Sequence, residues 1–424
     1  MKAVVLAAGE GKRLRPLTHT RPKCMIPIAG KPILEHVVNE LRAAGLRDIV
    51  MVVRYMKEKV MDYFGDGKEF GVKIEYAVQG ERYGTGAAFA AARELVDDEF
   101  VGIAGDVITE ASAIRRLVRQ AEGTVTMGLK RVENPSKYGV VLMRGDRVVD
   151  FEEKPEKPKS ELANTSIYVF GKRAMEELGR APKTERGEYE ITGVLRRLAK
   201  SGEVKGVEIS EFWMDVGLPW QFLTASEHII NRMPARRKGS VSSSELVGKV
   251  IVEKGADIFN SYIEGPAYIG EKAEIGPFAY IRPTTSIGAH CSLSSGTTVK
   301  NSILMDGVKA KHLTYIGDSI IGEGCNFGAG TQVANYRFDA KTVKMRLADR
   351  KYDTETTKFG VVMGDNVKTG VLSCVMPGKS IGDGCWIGSG VVVHEDVPRR
   401  TKVFVRQTLE FIHENMSTER KVVE

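Results

Sequence analysis

No stretch of the 424-residue chain approaches the ~18–20 consecutive apolar residues needed to cross a bilayer, which argues against a helical membrane protein. Cysteine is scarce. Cys24, Cys291, Cys325, Cys374 and Cys385 are an odd number without metal-like spacing, so neither a zinc framework nor a disulfide scaffold is expected. They read as reduced, small apolar fillers. The opening MKAVVLAAGEGKR enters glycines at once and lacks the apolar core and cleavage pattern of a signal peptide, which suits a cytoplasmic protein. A large charge of one sign is also missing: 62 basic groups face 55 acidic ones. The small, scattered excess fits phosphorylated substrates and is too small to argue for nucleic acid. With 42% hydrophobic and 28% charged residues the chain is not disordered, and its length predicts two or three domains.

Two textures are present. Over residues 1–232, apolar strand-like runs alternate with helical patterns. KAVVLAAG reads as a buried strand ending in glycines, ILEHVVNELRAAGL as a helix, and IVMVV and VKIEYAV as strands. GTGAAFAAARELV reads as a helix after a turn, and FVGIAGD as a strand closing on a carboxylate. This order predicts an α/β, doubly wound, mostly parallel sheet of Rossmann-like type, with ligands beyond the carboxyl ends of the strands. Residues 233–250, opening MPARRKGSVSSSE, read as a linker.

From residue 251 to about 400 the apolar period becomes six. One column runs Ile263, Ile269, Ile275, Ile281, Ile287, Leu293, Val299 and Met305, resumes after a four-residue insertion at Tyr315, Ile321, Phe327 and Val333, and continues from Met363 to Val393 after a longer insertion. A period of six cannot sustain a helical stripe, but it suits a solenoid whose coils each close from three short strands. The pattern resembles the left-handed parallel β-helix of the hexapeptide-repeat family, whose members usually assemble as trimers. Residues 401–424 leave the period. KVFV within them reads as a strand, and the last ten residues are highly charged.

The densest chemical segment is LAAGEGKRLRPLTHTRPKCMIPIAGKP, residues 6–32. Gly9 and Gly11 leave a loop whose backbone N–H groups can approach a phosphate, and Arg13 and Lys23 add positive charge around the same anion. Gly-x-Gly-x-Arg with Pro-Leu-Thr and Pro-Lys downstream resembles the signature of sugar-1-phosphate nucleotidylyltransferases. That likeness extends over residues 1 to about 230. It implies that Leu6, Ala8, Gly9 and Gly11 frame the nucleotide, that Gln79 reads its base, and that Gly84 and Thr85 form the loop beneath. It further implies sugar and phosphate contacts from Gly139, Glu152, Glu153, Lys154 and Asn164. Asp106 and Asp215 become ligands of Mg²⁺, with Arg13 and Lys23 as the catalytic cations.

The second segment, KAKHLTYIGDSIIGEGCNFGAGTQVANY (residues 309–336), breaks the solenoid pattern with polar residues. His-Leu-Thr-Tyr-x-Gly-Asp resembles the acetyltransferase half of bifunctional N-acetylglucosamine-1-phosphate enzymes, where the histidine is the general base. The resemblance implies that His312 is catalytic, with acetyl-CoA as co-substrate. Substrate contacts would come from Arg282, Lys300, Tyr315, Asn326, Ala329, Asn335 and Lys341.

Bacterial members carry asparagine where Asp215 stands and have a shorter loop after Asn335, so the combination looks like an archaeal-type bifunctional enzyme. The implied reactants are UTP or dTTP, a sugar-1-phosphate and acetyl-CoA, in a homotrimer without nucleic-acid or membrane partners. Two other readings remain open: a uridylyl- or thymidylyltransferase for glucose-1-phosphate with a purely structural β-helix, and a non-catalytic sugar-nucleotide-binding subunit.

Overall fold

A computed structural model describes residues 1–96, 99–184 and 187–411. The charged last ten residues of the tail lie outside these. The N-terminal sheet runs Lys73–Val78, Asp48–Val53, Lys2–Ala7, Phe100–Ala104, Leu162–Phe170, Val125–Arg131, Val204–Glu208, Arg147–Glu153, Gly139–Arg144. Its first four strands are parallel, in the order a Rossmann-like half requires. Leu162–Phe170 then runs antiparallel between two neighbours, so parallel pairing is concentrated in the first 104 residues.

KAVVLA is apolar throughout because both faces of its strand are covered. Ala3, Val5 and Ala7 enter one core, while Val4 enters the other. Helix Ile33–Ala43 buries Ile33, Leu34, Val37, Val38 and Leu41 in the first core, a stripe at helical spacing. Helices Thr85–Ala91 and Ile191–Lys200 cover the opposite face.

The C-terminal half is a left-handed β-helix of three parallel sheets. Each coil strand pairs in parallel with its counterparts on the neighbouring coils, as in Tyr280, Thr298, Tyr315 and Gln332 down one face. Residues 240–247, expected to be linker, form two strands that already pair with the first full coil. At the other end the strand expected in KVFV covers Lys402–Val403.

The register of the coil differs from expectation at one place. Leu304, Ala310 and Ile316 fill the interior where Met305 and Tyr315 were expected. No four-residue insertion occurs. Instead, two corners, at Asn301–Ser302 and Asp318–Ser319, are each one residue shorter than the repeat. Alternation along a strand then turns Met305 and Tyr315 outward.

The longer insertion supplies a hairpin, Lys344–Leu347 with Arg350–Asp353, that folds back onto the N-terminal domain. Val343, Met345, Leu347 and Phe359 are buried there in one cluster with Leu14 and Leu17. The Phe359 ring meets Trp220 edge-on at 6.1 Å. Phe359→Ala is expected to cost about 3–5 kcal/mol, the usual penalty for emptying a packed aromatic site. Denaturant unfolding of the full chain checks this, and an unchanged midpoint would mean that the inter-domain core carries no stability.

Candidate active sites

The first site lies beyond the carboxyl end of the central strand. Gly11 adopts a left-handed φ of 72° and opens the turn Lys12–Leu14. A Cβ at Gly11 would sit 2.6 Å from the Lys23 Cβ, so a side chain is excluded both by conformation and by space. Thr18 Oγ1 donates to the Gly11 carbonyl at 3.0 Å and braces the loop across its base. Arg13 is exposed and lies against Gly217, where an added Cβ would be 3.3 Å from its Nη2.

Asp106 and Asp215, distant in sequence, are joined by a short antiparallel ladder. Asp215 pairs with Val107, and the Val216 N–H donates to the Asp106 carbonyl at 3.1 Å. Lys23 ion-pairs with Asp106. Burial alone would lower the Lys23 ammonium, but Asp106 and Asp215 outweigh it and hold its pKa above the ordinary lysine value. Asp215 is pushed up to about 7, first by burial and then by the Asp106 carboxylate. Two adjacent carboxylates thus share one lysine, a deficit of positive charge that suits a divalent cation. Among the described residues no three acidic, histidine or cysteine side chains converge as a closed cage. Mg²⁺ needs none, since one or two carboxylates and substrate phosphates complete its shell.

The remaining residues of the first site sit around this centre. Gln79 is buried, and its Nε2 donates to the carbonyls of Arg82 and Gly84 at 3.0 and 3.1 Å. Its Oε1 is therefore the end left for a ligand. Gly84 has φ 125°, and a Cβ there would lie 2.5 Å from the Tyr189 backbone, so the turn requires glycine. Thr85 starts the following helix and its Oγ1 accepts from the Ile191 N–H at 3.1 Å. Leu6 accepts from the Gly105 N–H at 2.9 Å, and Ala8 is buried.

Gly139 pairs with Glu153 across a hairpin, and Lys154 donates its N–H to the Tyr138 carbonyl at 3.0 Å. Lys154 holds φ 45°, a costly backbone for a non-glycine residue of the kind that clusters at functional sites. Glu152 does not share the face of Glu153, because strand alternation turns it toward Lys159 at 2.9 Å. Asn164 Nδ2 donates to Tyr168 Oη at 2.7 Å, and its Oδ1 accepts from the Ser166 N–H at 3.0 Å.

The second candidate site lies on the β-helix. Arg282 and Lys300 follow paired strand positions on successive coils of one face. Lys300 reaches Asp318 at 3.4 Å, and Asn335 Nδ2 donates to Tyr315 Oη at 3.2 Å and also to Asp318. An added Cβ on Gly317 would lie 2.6 Å from both Asn335 Nδ2 and Tyr315 Oη, so the bare position leaves room for that pair. The outward turn of Tyr315 is what makes this cluster. His312 is exposed at the corner entering the same face, with no hydrogen bond to its ring among the described residues. Asn326 belongs to the neighbouring face, Ala329 to the next turn, and Lys341 is exposed at the start of the insertion. The structure thus groups Arg282, Lys300, Tyr315 and Asn335, and leaves Asn326 and Lys341 outside that group.

Three residues escaped the sequence reading: His19, Thr20 and Arg21, between Pro-Leu-Thr and Pro-Lys. They bind coil residues Asp383 and Asp365, more than 340 positions away, so no local spacing could reveal them.

Residues 2–232 match the nucleotidyl transferase family, and residues 263–376 match the GMPPB C-terminal domain. The chain therefore belongs to the nucleotidyl transferase family. Within it, the chain is 42% identical to the bifunctional protein GlmU of Methanocaldococcus jannaschii, over 97% of this chain and 99% of that one. It is 38% identical to the bifunctional sugar-1-phosphate nucleotidylyltransferase/acetyltransferase of Sulfurisphaera tokodaii, over 94% and 98%. A Bacillus anthracis protein assigned as a glucose-1-phosphate thymidylyltransferase, solved in complex with sucrose, superposes with a TM-score of 0.51 at 29% identity. That match spans 56% of this chain and 98% of that one. No helix among the described residues is long and apolar enough to cross a membrane.

Proposed function

We propose that the chain is a bifunctional enzyme producing UDP-N-acetylglucosamine in the cytoplasm. It would first move acetyl from acetyl-CoA to glucosamine-1-phosphate, then uridylyl from UTP to N-acetylglucosamine-1-phosphate. The observation that carries this reading is full-length similarity, through both domains, to relatives named bifunctional, combined with separate polar clusters on the two domains.

In the first step the amine nitrogen attacks the thioester carbonyl, the C–N bond forms, and coenzyme A leaves as thiolate. The exposed ring of His312 would accept the amine proton as general base. Arg282 and Lys300 would hold the sugar phosphate, and Tyr315 and Asn335 the amine end. Acetyl would pass directly to the amine, because burial pushes the Cys325 thiol up to about 12 and removes it as a nucleophile.

In the second step a phosphate oxygen of the sugar-1-phosphate attacks the α-phosphorus of UTP, and pyrophosphate leaves. Arg13 and Lys23 would stabilise the charge gathering on pyrophosphate. Lys154 would anchor the sugar phosphate, and Gln79 Oε1 would accept from the base N3–H. Asp106 and Asp215 would hold Mg²⁺, which when bound screens the repulsion between the two polyanionic reactants. Catalysis here rests on positioning and electrostatics.

We assign residues 1–232 to nucleotidylyl transfer and 251–400 to acetyl transfer, in a homotrimer. Exposed Phe278, Leu313 and Leu372 line one corner of the coil beside His312, an apolar edge that a neighbouring copy would cover.

The test is thiol release from acetyl-CoA by the full chain with glucosamine-1-phosphate, with glucose-1-phosphate as amine-free control. Release that requires the amino sugar is the expected result. Absence of release, with sugar nucleotide still formed, would reduce the coil to a scaffold.

A further inference from the structure

We propose that the β-helix holds the phosphate loop of the N-terminal site in its working geometry, making Arg21 and Asp365 positioning residues of nucleotidylyl transfer. This rests on the nucleotidylyltransferase reading above and adds that the catalytic loop is completed by the other domain.

Arg21 lies two residues before Lys23, and is only 6% exposed. Its guanidinium is spent on the coil: Nη2 donates to Asp365 at 2.6 Å and lies 3.1 Å from Glu323, while Nη1 meets the Met305 sulfur at 2.8 Å. Asp365, 5% exposed, also accepts from Thr20 Oγ1 at 2.7 Å and from the Glu323 N–H at 2.9 Å. One residue further back, His19 Nδ1 meets Asp383 at 2.8 Å, and Arg399 secures the other oxygen of Asp383 at 3.1 Å. Three consecutive loop side chains are therefore tied to four successive coils.

These carboxylates are not isolated. Glu253, Glu271, Asp306, Glu323, Asp365 and Asp383 follow six of the seven strands in the coil sheet that runs from Val250–Val252 to Lys379–Ile381, all but Thr285–Ile287, and form an acidic edge along one corner. Side chains that precede the coil reach it: Arg236 of the linker pairs with Glu253, and Arg21 and His19 of the N-terminal domain bind further along. The loop is also held from a second side. Hairpin strand Lys344–Leu347 packs on the turn Lys12–Leu14, and an added Cβ on Gly364 would lie 3.1 Å from the Pro16 Cβ. Both cations of the proposed transition state, Arg13 and Lys23, thus stand on a segment whose anchors lie in the coil.

A buried charge-assisted network of this kind is costly to disturb, and it fixes one geometry rather than many. A displaced loop would misplace Lys23 relative to Asp106, so the loss should fall on turnover. The clamp occupies the corner between strands Val361–Met363 and Lys368–Thr369, whereas His312 lies at the corner before Tyr315–Gly317, and Arg282 and Lys300 lie where the strands of that face end.

Asp365→Asn in the full chain keeps the shape and removes the charge. Its kcat for pyrophosphate release is expected to fall roughly 10- to 100-fold, the scale of a lost hydrogen bond between charged groups. KM for the sugar-1-phosphate and the rate of acetyl transfer should stay within about twofold. Amide exchange over residues 11–23 should accelerate, a readout that does not depend on turnover. Unchanged kcat and unchanged exchange would overturn the proposal. So would a parallel fall of both activities with the unfolding midpoint, which would mark Asp365 as a stability residue only. If Asp365→Asn does not fold, Asp383→Asn carries the same test through His19. Wild-type protein that releases no pyrophosphate, yet whose loop exchange responds to Asp365→Asn, would sink the activity reading and leave the anchoring intact as structure without a catalytic role.

Discussion

Asp106→Ala is expected to lower nucleotidylyl transfer by at least roughly 10²–10³-fold, the scale of removing one preorganised charge stabiliser. The expectation follows from what Asp106 touches. It is the carboxylate paired with Lys23, and it stands beside Asp215 through the Val107–Asp215 ladder. Without it Lys23 has lost its fixed partner and any cation has lost one of two protein ligands. Asp106→Asn distinguishes charge from shape, because it preserves the side-chain volume and should lose nearly as much. Acetyl transfer by the same preparation should be retained, since among the described residues no hydrogen bond or ion pair joins the Asp106 side chain to the coil. Pyrophosphate release and thiol release, measured side by side, check both halves of the statement. Loss of both activities in protein that still unfolds at the wild-type midpoint would contradict the assignment of the two reactions to separate sites.

His312→Ala should give the opposite pattern. Acetyl transfer is expected to drop about 10²–10⁴-fold, the usual contribution of a positioned general base. Nucleotidylyl transfer should be unaffected, because the His312 ring is exposed and makes no hydrogen bond among the described residues. That isolation makes the variant informative, as a fall in thiol release cannot be ascribed to a collapsed coil. Normal acetylation by His312→Ala would eliminate the histidine as base and direct attention to Tyr315 and the Asn335–Asp318 cluster.

The two variants together define independence of chemistry, whereas the Arg21–Asp365 clamp concerns dependence of geometry. Two sites can catalyse separately while one of them is held in shape by the other's domain. The chain reads as two domains in sequence, yet one buried cluster runs from Ala3 and Leu14 through to Ile303, Met345 and Phe359. Removing the coil to study the first site would therefore also remove the anchors of its loop.

What the residues determined by themselves was periodic or local. The six-residue apolar recurrence ruled out a helical stripe and suited a solenoid, and the strand-then-glycine opening, with Arg13 and Lys23 beside it, suited a phosphate loop at a strand end. Gly11 and Gly84 are legible in sequence because their backbones demand glycine at those points. Tertiary structure alone decided the register around Met305 and Tyr315, since a corner one residue shorter leaves no mark on composition but reverses which side chains face out. It alone decided that Asp106 and Asp215 meet, through a ladder of two residue pairs. The insertion reads as an unexplained loop until its Met345 and Phe359 are seen filling a core in the other domain. His19, Thr20 and Arg21 look like ordinary loop residues for the same reason: a buried ion pair is specified by where two distant backbones come to lie, and no spacing along one chain encodes that distance.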